Sequence, residues 1–142
     1  MPDYSLPRNE RLRSFTTIRR VFSEGKGGFV YPFRYTFLVT KLDKAEADSV
    51  EADKENASID KGRIEVMFSV PKKFHKRANK RNLLKRRTRE AYRLSREELR
   101  CKVAELGVVV DVAIVYSTKE IHSYKTISYA VQRILEQIGS RL

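Results

Sequence analysis

The stretch VVVDVAIVY, Val108 to Tyr116, is the most apolar in the chain. A run this continuous reads as a central strand, buried on both faces, so the rest of the chain must supply its neighbours and its cover. RIEVMFSV, Arg63 to Val70 and ended by Pro71, reads as a second strand. FVYPFRYTFLVT, Phe29 to Thr40, is rich in aromatic and β-branched residues and reads as another, starting after Pro32.

Helical spacing marks three further segments. NERLRSFTTIRRVFSEG has Leu12, Phe15, Ile18, Val21 and Phe22 at intervals of three and four; Asn9 or Ser14 can cap it, and Gly25 stops it. A basic helix is expected from about Asn79 to Leu99, with Leu83, Leu84, Ala91 and Leu94 on its core side. SYKTISYAVQRILEQI, Ser123 to Ile138, buries Ile127, Ala130, Val131, Ile134, Leu135 and Ile138. The order α-β-β-α-β-α predicts an α+β fold, a single-domain α/β sandwich over residues 1–142 with helices packed on a sheet. The segment from Lys41 to Lys61 carries seven acids and four lysines, with few large apolar residues. It is expected to form a long acidic loop or hairpin tip.

The chain has 30 Lys+Arg against 18 Asp+Glu, a formal net charge of +12. Self-repulsion of that size disfavours a compact state, and a polyanionic partner is the usual reason to keep it. Nucleic acid and an anionic membrane surface are the two candidates, against a merely soluble basic protein. From Lys72 to Lys102 there are fourteen Lys/Arg and three acids, a net of +11, so nearly all the excess sits in one segment.

Within that segment, ANKRNLLKRRTREAYR places Arg81, Lys85, Arg89 and Arg93 at successive i,i+4 positions. Solvated helix faces usually interleave the two signs, because like charges at this spacing repel by a few tenths of a kcal/mol per pair, ~0.2–0.5. A face that accepts the repulsion is suited to phosphates, and its arginine forks to bidentate contact. Asn82 lies within that face, where its amide both donates and accepts. Arg87 is the misfit, with its stem toward the core and its guanidinium reaching outward.

Other chemistry is poorly supplied. Cys101 is the lone cysteine, which excludes an intrachain disulfide and fits a reducing compartment. An inert, half-buried thiol is expected there. His75 and His122 have no partner at metal-ligand spacing, so no protein-bound metal is expected; His75, in the basic loop, is expected to touch RNA. GKGG lacks the pattern of a phosphate loop. No apolar run reaches the roughly 20 residues of a membrane span, and the N-terminus lacks an apolar signal region. No membrane association is expected, and the location is read as cytoplasmic.

SVPKKFHKRANKRNLLKRRTREAYR, Ser69 to Arg93, resembles the signature of the bacterial ribonuclease P protein subunit. The matching residues are Ser69, Val70, Lys72 and Lys73, then Arg81, Asn82, Lys85, Arg86, Arg89 and Glu90. RRVFSEG and the strand beginning VDVAIV match as well, so the resemblance spans about Leu12 to Ile138. It implies an α/β sandwich in which the basic helix joins two parallel strands by a left-handed crossover. It implies a protein without catalytic residues of its own, joined to a catalytic RNA that uses Mg²⁺ to remove the 5′ leader of precursor tRNA. The implied partners are ribonuclease P RNA and precursor tRNA, with no obligate protein partner. The implied contacts to the catalytic RNA are Lys72, Lys73, Lys76, Arg77, Arg81, Asn82, Lys85, Arg86, Arg89 and Arg93.

A separate cleft between the first helix and the sheet is implied to hold the leader. Ile18 and Phe22 match two of its helix positions. The first is commonly aromatic in the family and is isoleucine here, with Phe15 as the alternative stacking ring. Arg34 and Thr36 match outward positions of the first strand, and Tyr116 falls at the cleft end of the last one. Core packing is the competing reading for each aromatic. A different class of function, a non-enzymatic RNA-binding protein such as a ribosomal component or RNA chaperone, suits the same basic helix.

Overall fold

A computed structural model of the 142-residue chain describes residues 11–41 and 62–142. The acidic segment expected at 41–61, apart from Lys41 itself, lies outside the described residues, as does the Asn9 cap. Along the chain run α1 (Phe15–Glu24), β1 (Lys26–Val30), β2 (Phe33–Lys41), β3 (Arg63–Ser69), α2 (Ala78–Ser95), α3 (Glu97–Leu106), β4 (Val108–Tyr116) and α4 (Tyr124–Ser140). The described strands form one sheet in the order β1-β2-β4-β3. β4 pairs antiparallel with β2 and parallel with β3, so the most apolar strand is internal, as its composition requires.

Side-chain alternation gives the sheet two different faces. Phe33, Tyr35, Phe37, Ile64, Val66, Val110, Val112, Ile114 and Tyr116 pack with Leu84, Ala91 and Tyr92 of α2 and with the buried stripe of α4. All six expected α4 positions, Ile127 through Ile138, are buried. Each large aliphatic side chain there contributes about 1.5–3 kcal/mol of burial. The opposite face carries a smaller core of Leu12, Val21 and Ala113, with Ile18, Leu38 and Met67 against it. α1 lies on that face. Ser14 caps it by accepting from the Thr17 N–H at 3.4 Å, and the Leu12 N–H donates to the Val66 carbonyl at 2.9 Å, covering the outer edge of β3.

Two expectations need correction. The expected order α-β-β-α-β-α lacks a strand and a helix. Lys26–Val30 is a strand of its own, paired antiparallel with β2 across the Tyr31–Pro32 turn. Its Gly27-Gly28 pair reads as loop in isolation, and only the partner strand rescues it. The basic helix stops at Ser95, and α3 begins after Arg96. The acidic pair Glu97-Glu98 in the first turn of α3 was the available signal, since carboxylates favour helix N-termini. α3 ends at Gly107, whose φ of 64° suits glycine and whose N–H donates to the Val103 and Ala104 carbonyls. Parallel strands β3 and β4 are thus neighbours joined through α2 and α3.

Candidate RNA interface

The basic surface begins where β3 ends. The Pro71 carbonyl accepts from the Phe74 and His75 N–H groups, turning the chain into a tight loop before α2. His75, expected to touch RNA, is instead buried in the fold. It is 5% exposed, its Nε2 lies 2.8 Å from the Thr118 carbonyl, and its ring packs 5.6 Å from that of Tyr116. It anchors the loop to the start of the β4–α4 connection, and leaves Lys72, Lys73, Lys76 and Arg77 exposed around it.

Arg81 completes the fastening. Its Nη1 donates to the carbonyls of His75 at 3.0 Å and Lys76 at 2.7 Å. Part of its guanidinium is therefore committed to the loop, and the rest of the fork remains for an anion. Arg87 is similarly resolved, donating through Nη1 to the His122 carbonyl at 2.6 Å. At the start of α2 neither a side-chain cap nor an acid in the first turn offsets the positive end of the helix.

The buried stripe of α2 is Leu84, Thr88, Ala91 and Tyr92, not the expected Leu83, Leu84, Ala91 and Leu94. Thr88 enters the core because its hydroxyl donates to the Leu84 carbonyl at 2.7 Å, removing the cost of burying it. Leu83 is half-buried and Leu94 is exposed. The helix is accordingly rotated about its axis. Asn82 and Arg86 point into solvent, while Lys85, Arg89 and Arg93 are half-covered flanks. Lys85, Arg86 and Arg89 have no acidic partner among the described residues, and Asn82 has no hydrogen bond there.

The second surface lies on the other side of the sheet. α1 shields only part of its face, and Val21 is its single buried residue. Phe15 is 73% exposed, with the Arg19 guanidinium 5.5 Å from its ring centroid, and Phe22 is 52% exposed. Ile18, one turn before Phe22, is half-buried beneath them. For a ten-residue helix with an available apolar sheet, leaving two phenylalanines in water is unusual packing and marks a surface kept open. The sheet floor beside α1 carries Arg34, exposed, and Thr36, half-buried.

Tyr116 does not belong to this cleft. It is fully buried on the opposite face, edge-on to Phe33 at 5.4 Å. Its hydroxyl donates to the Glu120 carbonyl at 2.6 Å and accepts from the His122 N–H at 3.1 Å, fixing the β4–α4 connection. Burial raises its pKa. The residue that faces the cleft is Val115, the register partner of Arg34 and the one residue of β4 that is only half-buried. Strict alternation along β4 was the signal that separates the two.

One polar feature sits on the cleft face away from Val115. Asp111 is buried and pairs in register with Glu65, whose carboxylate lies 3.6 Å from Arg63 Nε. Burial, then the Glu65 charge and a hydrogen bond to it, push Asp111 up to about 6, while Arg63 and Arg20 pull it down. The folded chain thus holds a proton that an unfolded Asp, near 3.8, releases. This contribution is complete below about pH 4 and is lost as pH rises through about 6. Asp111→Asn is expected to gain on the order of 1–3 kcal/mol relative to the parent as pH is raised across that window. Urea unfolding at a series of pH values measures it, and a difference independent of pH would mean that folding does not raise the affinity of Asp111 for its proton.

The described residues hold no group of three or more His, Cys, Asp or Glu able to bind a metal ion, and no described helix is long and apolar enough to cross a membrane. Cys101 is exposed, not half-buried, because α3 turns its Leu99 and Val103 to the core instead.

Comparison with known proteins identifies the family. The profile of the Ribonuclease P family matches residues 6–139. The ribonuclease P protein component of Porphyromonas gingivalis W83 is 30% identical over 141 residues, which are 99% of this chain and 91% of that protein. The same protein from a second P. gingivalis strain is 30% identical over 139 residues, 98% of this chain and 90% of that one. Among solved structures, the Staphylococcus aureus RNase P protein superposes with a TM-score of 0.61 at 17% identity, covering 91% of this chain and 94% of its own. A mutant of the S. aureus protein described as defective in mRNA degradation gives 0.60 at 18% identity, covering 92% and 89%. The two solved structures share the fold, and the profile match over nearly the whole length, together with the curated relatives, shows that the chain belongs to the ribonuclease P protein family.

Proposed function

We propose that this chain is the protein subunit of a ribonuclease P that removes 5′ leaders from precursor tRNA in the cytoplasm. The loop at 71–77 and helix α2 bind the catalytic RNA. The cleft between α1 and the sheet holds the single-stranded leader. Hydrolysis belongs to the RNA, which supplies Mg²⁺-dependent chemistry; the protein positions the substrate and lowers phosphate repulsion.

The observation that carries this reading is the placement of α1 and α2 on opposite faces of one sheet. A duplex or structured RNA can lie along the basic helix while a single strand occupies the other side. The two surfaces are also chemically suited to different ligands. Lys85, Arg86 and Arg89 offer charge without aromatic rings, which suits phosphates. Phe15, Phe22 and Arg34 offer exposed rings beside a cation, which suits unpaired bases.

Reconstitution with ribonuclease P RNA tests the proposal. At Mg²⁺ too low for the RNA alone, adding the protein is expected to restore removal of the leader from precursor tRNA. Protein that binds the RNA and leaves that rate unchanged would be a non-enzymatic RNA-binding protein instead.

A further inference from the structure

The cleft beside α1 is not closed at its β1 side. Phe29 of β1 is the register partner of Arg34, so in an antiparallel pair the two side chains share the α1 face of the sheet. The row Phe29, Arg34, Val115, Ser69 runs across all four described strands, roughly 14 Å at the usual inter-strand spacing. Phe29 is 55% exposed at the outer end of that row. Its ring meets Tyr31 edge-on at 6.5 Å. Tyr31, itself half-exposed, is held by its hydroxyl to Glu120 Oε2 at 3.2 Å and by an edge contact with His122 at 5.3 Å. The platform is therefore braced through Tyr31 by the β4–α4 connection, and more than half of the Phe29 side chain stays open to solvent.

Gly27 explains how a ligand would reach it. Gly27 is the register partner of Thr36, on the same face as Phe29 and next to it along the row of β1. No fold requirement demands glycine there: its φ is not positive, and an added Cβ would meet only ordinary contacts, 3.6 Å from the Tyr35 carbonyl and 4.0 Å from Thr36 Oγ1. Gly28 is different, since a Cβ there would lie 2.3 Å from the Tyr35 ring. Gly28 is required by core packing, whereas Gly27 leaves a bare strip of floor between α1 and Phe29. A strand glycine with no local cause is a usual mark of close approach by another chain.

We infer that the leader track continues beyond the α1 cleft, across Gly27, to Phe29, which stacks a further unpaired base of the RNA single strand. This rests on the reading of the cleft as the leader site. Arg34, on the cleft floor beside Phe29, neutralises the phosphate that joins the two positions. Tyr31 keeps the Phe29 ring from folding down onto the strand.

The test uses the enzyme reconstituted with ribonuclease P RNA and precursor tRNAs whose leaders lengthen one nucleotide at a time. The parent enzyme is expected to gain affinity with each nucleotide up to a plateau. Phe29→Ala and Gly27→Leu should each reach a plateau earlier and bind the longest leaders about fivefold or more weakly, with short leaders unaffected. Phe29→Tyr should keep the parental curve. Phe22→Ala should weaken short and long leaders alike. A parental length dependence in Phe29→Ala, or an equal loss at every length and with mature tRNA, overturns the extended track while leaving the cleft intact. If Phe22→Ala also leaves leader binding unchanged, the cleft reading falls with it.

Discussion

The combined change of Lys85, Arg86 and Arg89 to alanine is expected to weaken binding to ribonuclease P RNA by more than a hundredfold. Charge-assisted hydrogen bonds contribute about 1.5–3 kcal/mol each, and three are removed together. The more specific signature is the salt dependence. Each phosphate contact releases counterions worth roughly 0.7–0.9 in the slope of log K against log salt, so the slope should become shallower by about 2–3. Filter binding over a range of KCl concentrations reads both. The three side chains have no acidic partner among the described residues. Their removal also relieves the Lys85–Arg89 repulsion and introduces the best helix former, so the thermal midpoint should not fall. Lysine at positions 86 and 89 should restore the slope but not the full affinity, because an ammonium lacks the bidentate fork. An unchanged slope in the alanine variant would mean that α2 does not meet phosphates. Arg81 is left out of the set on purpose. Its Nη1 fastens the His75 and Lys76 carbonyls, so its loss would release the loop as well as a charge.

Phe22→Ala is expected to cost precursor tRNA binding about 1–3 kcal/mol, a factor of roughly 5 to 150, and to leave mature tRNA nearly unchanged. The ring is half-exposed on α1, with Val21 rather than Phe22 buried against the sheet, so its truncation removes little of the core. Competition binding of the two tRNAs to the reconstituted enzyme separates the effects. An equal loss for both would make Phe22 a structural residue of the small core under α1. Phe15→Ala gives the companion result. The Ile18 position lacks a ring, so stacking on this helix rests on Phe15 and Phe22, and the double variant should lose more than either alone.

Much of the architecture was legible because its signals are local. β4 announced itself by an apolar run, α4 by a stripe whose six positions are all buried, and the basic surface by the one-sign spacing of α2. The failures share a cause. The β1 strand is specified by pairing with β2 and not by its own Gly-rich residues. The orientation of α2 depended on whether Thr88 could bury its hydroxyl, and a helical wheel cannot see the hydrogen bond that permits it. Tyr116 and His75 are polar aromatics that the sequence leaves equally suited to a site or to a core. Each is buried because backbone groups satisfy its polar atoms: the Thr118 carbonyl for His75, and the Glu120 carbonyl and His122 N–H for Tyr116.

By itself the sequence determined which charges this protein carries, where along the chain they concentrate, and which segments must be helix or central strand. Those follow from periodicity and composition, which act over a few residues. Only the tertiary structure decided which rings remain in water. Phe15, Phe22 and Phe29 are exposed, while Phe33, Phe37 and Tyr116 are not, although all are aromatic residues in apolar surroundings of the sequence. The difference is set by strand parity and by how much of the sheet α1 covers. Both depend on packing between segments far apart in the chain, and that is why the exposed aromatic surface emerges only when the sheet is assembled.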